Sequence, residues 1–349
     1  MAADLPTSRV VIGGVSVQVT HENVPHTSLR LDPENPRIRL QLTAGGRKKP
    51  ATPDELFELM REQNGYPELQ RQIREQGGIS EPLLVRSDGR IVEGNTRYAV
   101  ICALAAKTAG GVAKWGSVPI MRLPADISEK AIQLQMAGYH IAGKTNWRAS
   151  AQADQIYQLL KEPAIATIEE VAEATRMTKK KVEQYLAAYE YLIKEILPQK
   201  KDAGAAERQE ILESKFSHAL QLMTVRKLEP FRGDKTKREW LAKQIAEDKI
   251  TGMQVRDLHK VAAQPEARAA LEESGFKAAK EVLRVVNPAA ESKVLEAVKK
   301  LTVQLKDLDT KELSLFRDHA EPRKALESLR EAVGDVLAVA TNHEAERRA

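Results

Sequence analysis

The chain has 349 residues, of which 42% are hydrophobic, 30% charged and only 4% aromatic, with a net charge of +5 and a pI near 9.0. These totals predict a soluble protein of two or three domains, mildly basic and so compatible with nucleic acid. They exclude a disulfide framework or thiolate metal site, because Cys102 is the only cysteine, and a helical membrane span, because no apolar run approaches ~20 residues. The first residues, MAADLPTSRVVIGG, hold no apolar signal core, so a cytoplasmic location is expected. The seven histidines have no ligand spacing, and Cys102, inside VICALAA, reads as a buried, inert thiol.

The first thirty residues alternate as strands do: VVIGGVSVQV around a Gly-Gly turn, then VPHTSLRLD. DPENPRIRL follows, and its two prolines predict extended chain. TAGGRKKPATP reads as a loop. Thr52-Pro53-Asp54-Glu55 carries helix-start signals, and a second helix is expected over Glu68 to Glu75, ending at Gly77-Gly78. ISEPLLVRSDGRIVEG predicts strand, Asp-Gly turn, strand. NTRYAVICALAAKTA predicts a helix with one apolar face, WGSVPIMRL a strand, and a helix is expected from Ile127 with Asp126 as its cap. From Ser150 onward the periodicity is almost entirely helical, so the chain is mixed α/β in front and all-α behind, class α+β.

Two stretches invite a phosphate. Glu93-Gly94 hands a strand to a helix start with Arg97 in its first turn, and free N–H groups with a favourable dipole suit an anion there. An ordinary strand-to-helix turn with a solvated arginine explains the same residues. GYHIAGKT, residues 138–145, fits G-x-x-x-x-G-K-[ST] letter for letter. A true phosphate loop needs a buried strand before it and a long helix directly after it. Here SEKAIQLQMAGYH begins like a helix, with polar Glu129, Lys130, Gln133 and Gln135, and no further strands follow.

LQRQIREQGGISEPLLVRSDGRIVEGNTRYAVICALAA resembles the N-terminal domain of the ParB family of DNA-partition proteins, part of the wider ParB/sulfiredoxin fold. Ile73, Gly77, Gly78, Pro82, Leu83 and Val85 match the family's first motif. Gly94 to Val100 matches the Gly and one Arg of Gly-Glu-Arg-Arg-x-Arg-Ala, and DPENPRIR resembles the Asn-Pro opening segment. Thr167 to Leu192 fits the helix-turn-helix that follows in such proteins: Thr167 with Glu170 is a capping box, Arg176-Met177 the turn, and Thr178 the cap of a second helix carrying Lys179, Lys180 and Lys181. GYHIAGKTNW resembles a variant of the family's third motif, with His140 and Ile141 at the Glu-Asn positions, Lys144 at the Arg position and Trp147 at Leu.

The resemblance covers roughly residues 20 to 265. It implies a small mixed-sheet nucleotide-pocket domain over 1–148, a DNA-binding domain over 149–270 and a helical region over 275–349 that could self-associate. It further implies a nucleotide, CTP, held by Gly77, Gly78, Glu93, Gly94, Asn95, Thr96, Arg97, His140 and Lys144, and duplex DNA contacted by Thr178, Lys179, Lys180, Lys181 and Gln184. The partners it implies are double-stranded DNA, a second copy of the chain and a partition ATPase, at the nucleoid or on a plasmid. In the family the motif's Asn holds Mg2+. Ile141 cannot ligate a hard cation, so metal-assisted CTP hydrolysis is in doubt. Two rival readings are a DNA-binding regulator with an empty pocket and a ParB-like nuclease or ATPase. At the end of the chain, HEAERRA is expected to be disordered.

Overall fold

In a computed structural model of the chain, residues 5–44, 50–107, 114–142, 148–161 and 163–348 are described. They form two compact units, residues 1–280 and 281–349.

The first unit opens on a hairpin. β1 (Thr7–Ile12) and β2 (Val15–Pro25) pair antiparallel with Ile12 opposite Val15, so Gly13-Gly14 is a two-residue turn. Both glycines have positive φ (55° and 84°), as the twist of a two-residue hairpin demands. β3 (Leu83–Val85), β4 (Ile91–Glu93) and β5 (Ser117–Arg122) complete a five-stranded sheet in the order β1-β2-β5-β3-β4. Among the described strand pairs only β3–β5 is parallel; the sheet is mixed and the class is α+β. The side-chain period of two splits β3 between the faces. Leu83 and Val85 join Leu56, Met60, Ile73, Tyr98 and Leu104, whereas Leu84 joins Ile12, Val19, Val92 and Met136.

The first of these layers is supplied by three helices: α2 (Pro53–Arg61), α3 (Tyr66–Gln76) and α4 (Asn95–Lys107), with α1 (Pro36–Ala44) ahead of them. Thr52 caps α2 in a full capping box with Glu55. Cys102 lies on α4, where burial pushes its thiol up to about 11 and keeps it protonated.

Three expectations need correction. DPENPRIRL is not extended throughout: Pro36 opens α1, with the carbonyl of Asn35 accepting from the N–H groups of Ile38 and Arg39. A proline at the first helical position loses no hydrogen bond, so only the residue before it is held extended. Within VPHTSLRLD, β2 ends at Pro25 and His26–Ser28 is a 3-10 turn. α5 (Glu129–Ala137) is capped by Ser128, which accepts from the Ala131 N–H, and not by Asp126. Of the loop expected over Thr43 to Pro53, residues 45–49 lie outside the described residues, Thr43 and Ala44 still belong to α1, and Pro53 already opens α2.

α5 continues through one wider π turn, Gly138–Ala142. Beyond it come α6 (Ala149–Leu160), α7 (Ile168–Thr175) and α8 (Lys179–Tyr191). Val171, Ala172 and Val182 of the last two pack with Leu134, Ile141, Ile156 and Leu159 in one apolar core. α9 (Ala205–Ser214), α10 (Phe216–Thr224), α11 (Lys235–Ala246) and further helices finish the unit, with α10 running along α8.

In the second unit, α12 (Lys293–Lys306) and α13 (Thr310–Asp318) bury no residue fully, and α14 (Ala320–Arg348) leaves Val336 70% and Val339 71% exposed. α14 runs through the terminal HEAERR, where the expectation was disorder; Ala, Glu and Arg all favour helix.

Candidate functional site

A cavity of about 350 Å3 opens at the start of α4, lined by Asn35, Asn64, Gly65, Leu69, Glu81, Glu93, Gly94, Asn95, Thr96, Arg97 and His140. Six of the nine residues assigned to a nucleotide line it. Gly77 and Gly78 do not: Gly77 (φ 74°) ends α3 in the left-handed conformation. Lys144, like Trp147, lies outside the described residues. Asn64, Gly65 and Glu81 carried no sequence signal. Asn35 lay inside the quoted Asn-Pro segment without being assigned a role.

The local backbone explains the placement. Gly94 adopts φ 96°, and a Cβ there would stand 2.5 Å from Leu83 Cδ2 and 3.1 Å from the Arg97 guanidinium. Only glycine lets β4 turn so tightly into α4. The first intrahelical bond is Tyr98 N–H to the Gly94 carbonyl at 2.9 Å, so the N–H groups of Asn95, Thr96 and Arg97 precede the ladder. That is the arrangement that favours an anion.

The side chains are more committed than the sequence suggests. Asn95 is buried; its Oδ1 accepts from the Asp32 N–H at 3.3 Å and its Nδ2 donates to the Ile91 carbonyl at 3.0 Å. It ties α4 to the DPENP segment and has its amide spent on backbone. Arg97 donates to the Glu81 carbonyl at 2.7 Å and pairs with the Glu93 carboxylate one turn earlier. The cavity therefore carries two carboxylates beside one guanidinium. A phosphate ligand would have to take the place of Glu93 on Arg97 to use that guanidinium. Among the described residues no group of three or more His, Cys, Asp or Glu side chains could hold a metal ion.

The wall opposite is the π turn, and consecutive residues there face different ways. His140 lines the cavity, whereas Ile141 is buried in the core built around α7 and α8. The position that the resemblance assigns to a metal ligand is thus a packing residue. Gly138 completes the answer to GYHIAGKT: a Cβ on it would lie 3.0 Å from the Ala174 carbonyl of α7. Its glycine serves helix packing, and a helix precedes the string where a phosphate loop has a strand.

A buried polar network runs behind that wall. Arg39 of α1 meets Asp154 of α6 through Nε at 3.1 Å and Nη2 at 2.6 Å, and also donates to Gln155 at 3.0 Å. Tyr189 of α8 donates to the other Asp154 oxygen at 2.9 Å. Arg39 follows Asn35 by one helical turn, so a few bonds connect the cavity rim to α8.

α7 and α8 carry the caps and the turn that the sequence reading placed there. Thr167 caps α7 with Glu170 in a capping box, and Arg176 turns the chain at φ 54°. Thr178 caps α8 by accepting from the Lys181 N–H at 3.2 Å. Val182 faces inward, while Thr178, Lys179, Lys180 and Lys181 are exposed and Gln184 is half-buried. Lys179 pairs with Glu169 at 2.8 Å, and Lys181 lies 5.6 Å over the Tyr185 ring.

A larger cavity of about 780 Å3, absent from the sequence reading, lies between the Gly13-Gly14 turn, α5 and α7. Gly13 N–H donates to Gln135 Oε1 at 2.8 Å at its edge.

No helix among the described residues is long and apolar enough to cross a membrane. No family model matches the chain, and no curated protein matches it with significance. Among solved structures it is similar to a C-terminally truncated chromosome-partitioning protein ParB from Caulobacter crescentus complexed to the centromeric parS site, at 15% identity and TM-score 0.33, over 68% of this chain and 98% of that one. A Pnob8-like ParB-N domain gives 13% identity and TM-score 0.35, over 67% and 97%. The Caulobacter crescentus protein complexed with CTP-gamma-S gives 18% identity and TM-score 0.21, over 64% and 98%.

Proposed function

We propose that this chain is a ParB-like DNA-binding protein in which residues 1–148 take a nucleotide and residues 149–270 hold duplex DNA through α8. The observation that supports this best is the pair His140 and Ile141: one π turn lines the anion-suited cavity with the first and anchors the helix-turn-helix core with the second. A change in the cavity therefore has a short path to α8. Arg97 and the N–H groups at the start of α4 are the groups suited to phosphates; CTP as the nucleotide rests on the motif resemblance. Hydrolysis is not part of the reading, because Ile141 offers no ligand atom.

A second copy of the chain is proposed as partner through the C-terminal unit. Leu326, Leu329, Val333 and Val336 of α14 recur at alternating spacings of three and four, and Val333 and Val336 lie exposed. A dimer mass in light scattering that falls to monomer on deleting residues 281–349 is the expected result.

The test of the main reading is calorimetric titration of CTP, ATP, GTP and UTP, with and without duplex DNA, on wild type and Arg97→Ala. Selective CTP binding that Arg97→Ala removes is expected. DNA binding with no nucleotide binding would favour the regulator reading, for which the engagement of Arg97 by Glu93 and of Asn95 by backbone already speaks.

A further inference from the structure

In the helical half of the first unit some cations are already neutralised and others are not. Lys179, Lys194, Lys215, Arg238, Lys243 and Arg268 each hold a carboxylate. Among the described residues Arg226, Arg256 and Lys260 hold none, as is also true of Lys180, Lys181, Lys200 and Lys201, but the first three lie together. They come from three short segments that pack together at the end of α10: the 3-10 turn Arg226–Leu228, the 3-10 turn Gln254–Asp257 and the helix Leu258–Ala262. Arg256 is fixed by a 2.7 Å bond from its Nε to Gln221 Oε1 on α10, which leaves its outer nitrogens for another acceptor. Lys227 stands beside Arg226 at a shallow depression that Glu229 and Pro230 also line. Burial first, then the nearby Lys227 and Lys260, hold His259 below the ordinary histidine range, which puts these cations in one neighbourhood. Glu229 and Asp257 stand beside these cations.

The fold connects this patch to α8. Tyr185, with Lys181 over its ring, meets Phe216 at the start of α10 edge-on, with ring centroids 5.5 Å apart. Gly252, just ahead of the Gln254–Asp257 turn, abuts Ser217, where a Cβ would come within 2.8 Å of the hydroxyl oxygen. From Phe216 to the patch is the length of α10, nine residues. At 1.5 Å per residue that is about 13 Å.

We infer that Arg226, Arg256 and Lys260 form a second DNA-contacting surface that grips the phosphate backbone bordering the groove α8 enters. The partner is a duplex phosphodiester backbone, read without regard to base sequence. Arg256, with one nitrogen tethered and a fork still open, suits a phosphate oxygen pair, and Lys260 acts as a point charge. This inference rests on the DNA-binding reading proposed above.

Full-length protein titrated with a mixed-sequence duplex over a salt series tests it, with binding followed by fluorescence anisotropy. The variants are Arg226→Ala/Arg256→Ala/Lys260→Ala and, separately, Lys180→Ala, each checked for an unchanged melting temperature. The triple variant is expected to bind at least tenfold more weakly and to lower the slope of log K against log salt by about 2 to 3, since each phosphate contact contributes roughly 0.9. Arg226→Lys/Arg256→Lys keeps the charge and should keep most of the slope. A triple variant with the wild-type affinity and slope, while Lys180→Ala weakens binding, overturns the second surface and leaves α8 as the DNA contact. Wild type that binds no duplex at any salt overturns the DNA-binding reading itself.

Discussion

The starts of α4 and α8 look alike in sequence, each a helix N-terminus with basic residues in its first turn, and the structure treats them in opposite ways. At α4 the cation is turned inward: Arg97 is 16% exposed in its side chain, pairs with Glu93 and donates to the Glu81 carbonyl. At α8 the lysines stand in solvent, and Lys179 is 61% exposed in its side chain despite its partner Glu169. A charge held by its own protein must be released before it binds a ligand; a solvated one exchanges water and counterions instead. Hence the α4 site is suited to a ligand that competes with a carboxylate, and the α8 site to a long polyanion that many weak contacts hold.

The largest expected effect breaks both sites together. Arg39→Ala leaves Asp154 buried without its guanidinium, so urea unfolding should show a loss of about 3–5 kcal/mol. Arg39→Met with Asp154→Leu should recover most of it, because two apolar side chains leave no stranded charge. If the single variant costs nothing, the network does not bridge α1 and α8 in solution. Next, Gly94→Ala puts a Cβ against Leu83 at φ 96° and should cost about 3 kcal/mol, from strain and overpacking together, while DNA contact through α8 persists. A wild-type melting temperature would show that the turn can relax.

Glu93→Gln sharpens the comparison more gently. It removes the carboxylate that competes for Arg97, so inorganic phosphate or a nucleotide should bind several-fold tighter in calorimetry, at a stability cost of about 1 kcal/mol or less. Weaker binding would mean that Glu93 itself contacts the ligand. The smallest effect concerns Asp32, beneath the same helix. Its Oδ1 accepts from the Glu34 N–H at 3.0 Å, its Oδ2 is buried with no hydrogen-bond partner, and burial raises its pKa, partly offset by the Glu34 bond and by Arg86 and Arg90. A raised carboxyl pKa favours the folded state at pH values below the unfolded pKa of about 4 and loses that contribution as pH rises through the folded value. Asp32→Asn should therefore gain in melting temperature relative to wild type at pH 7, and the gain should shrink below about pH 4. A difference that does not change with pH would remove the titration argument.

Features that depend on neighbours in sequence were legible. The Gly13-Gly14 turn, the start at Thr52, the capping box of Thr167 with Glu170 and the cap at Thr178 all need only residues within four positions, because the bonds close over that span. The same locality misled at DPENPRIRL, where the rule for the residue before a proline was extended to those after it. It misled again at Asp126, two residues short of the true cap.

The candidate site was legible in part for the same reason. Glu93 to Arg97 are contiguous and share one turn, so they were bound to lie together. His140 joined them only through the resemblance, and Asn64, Gly65 and Glu81 had no local pattern to mark them. That Arg97 pairs with Glu93 was open to an i, i+4 reading, but its bond to the Glu81 carbonyl needed the approach of a segment 16 residues away.

The sequence by itself determined the local elements, the helix starts and the division into a mixed front and a helical back, because periodicity and capping act within a few residues. Tertiary structure alone decided the strand order, the burial of Ile141 in the core around α7 and α8 and the meeting of Arg39 with Asp154 across 115 positions. Those contacts arise from burying apolar faces against one another, and burial has no direction along the chain.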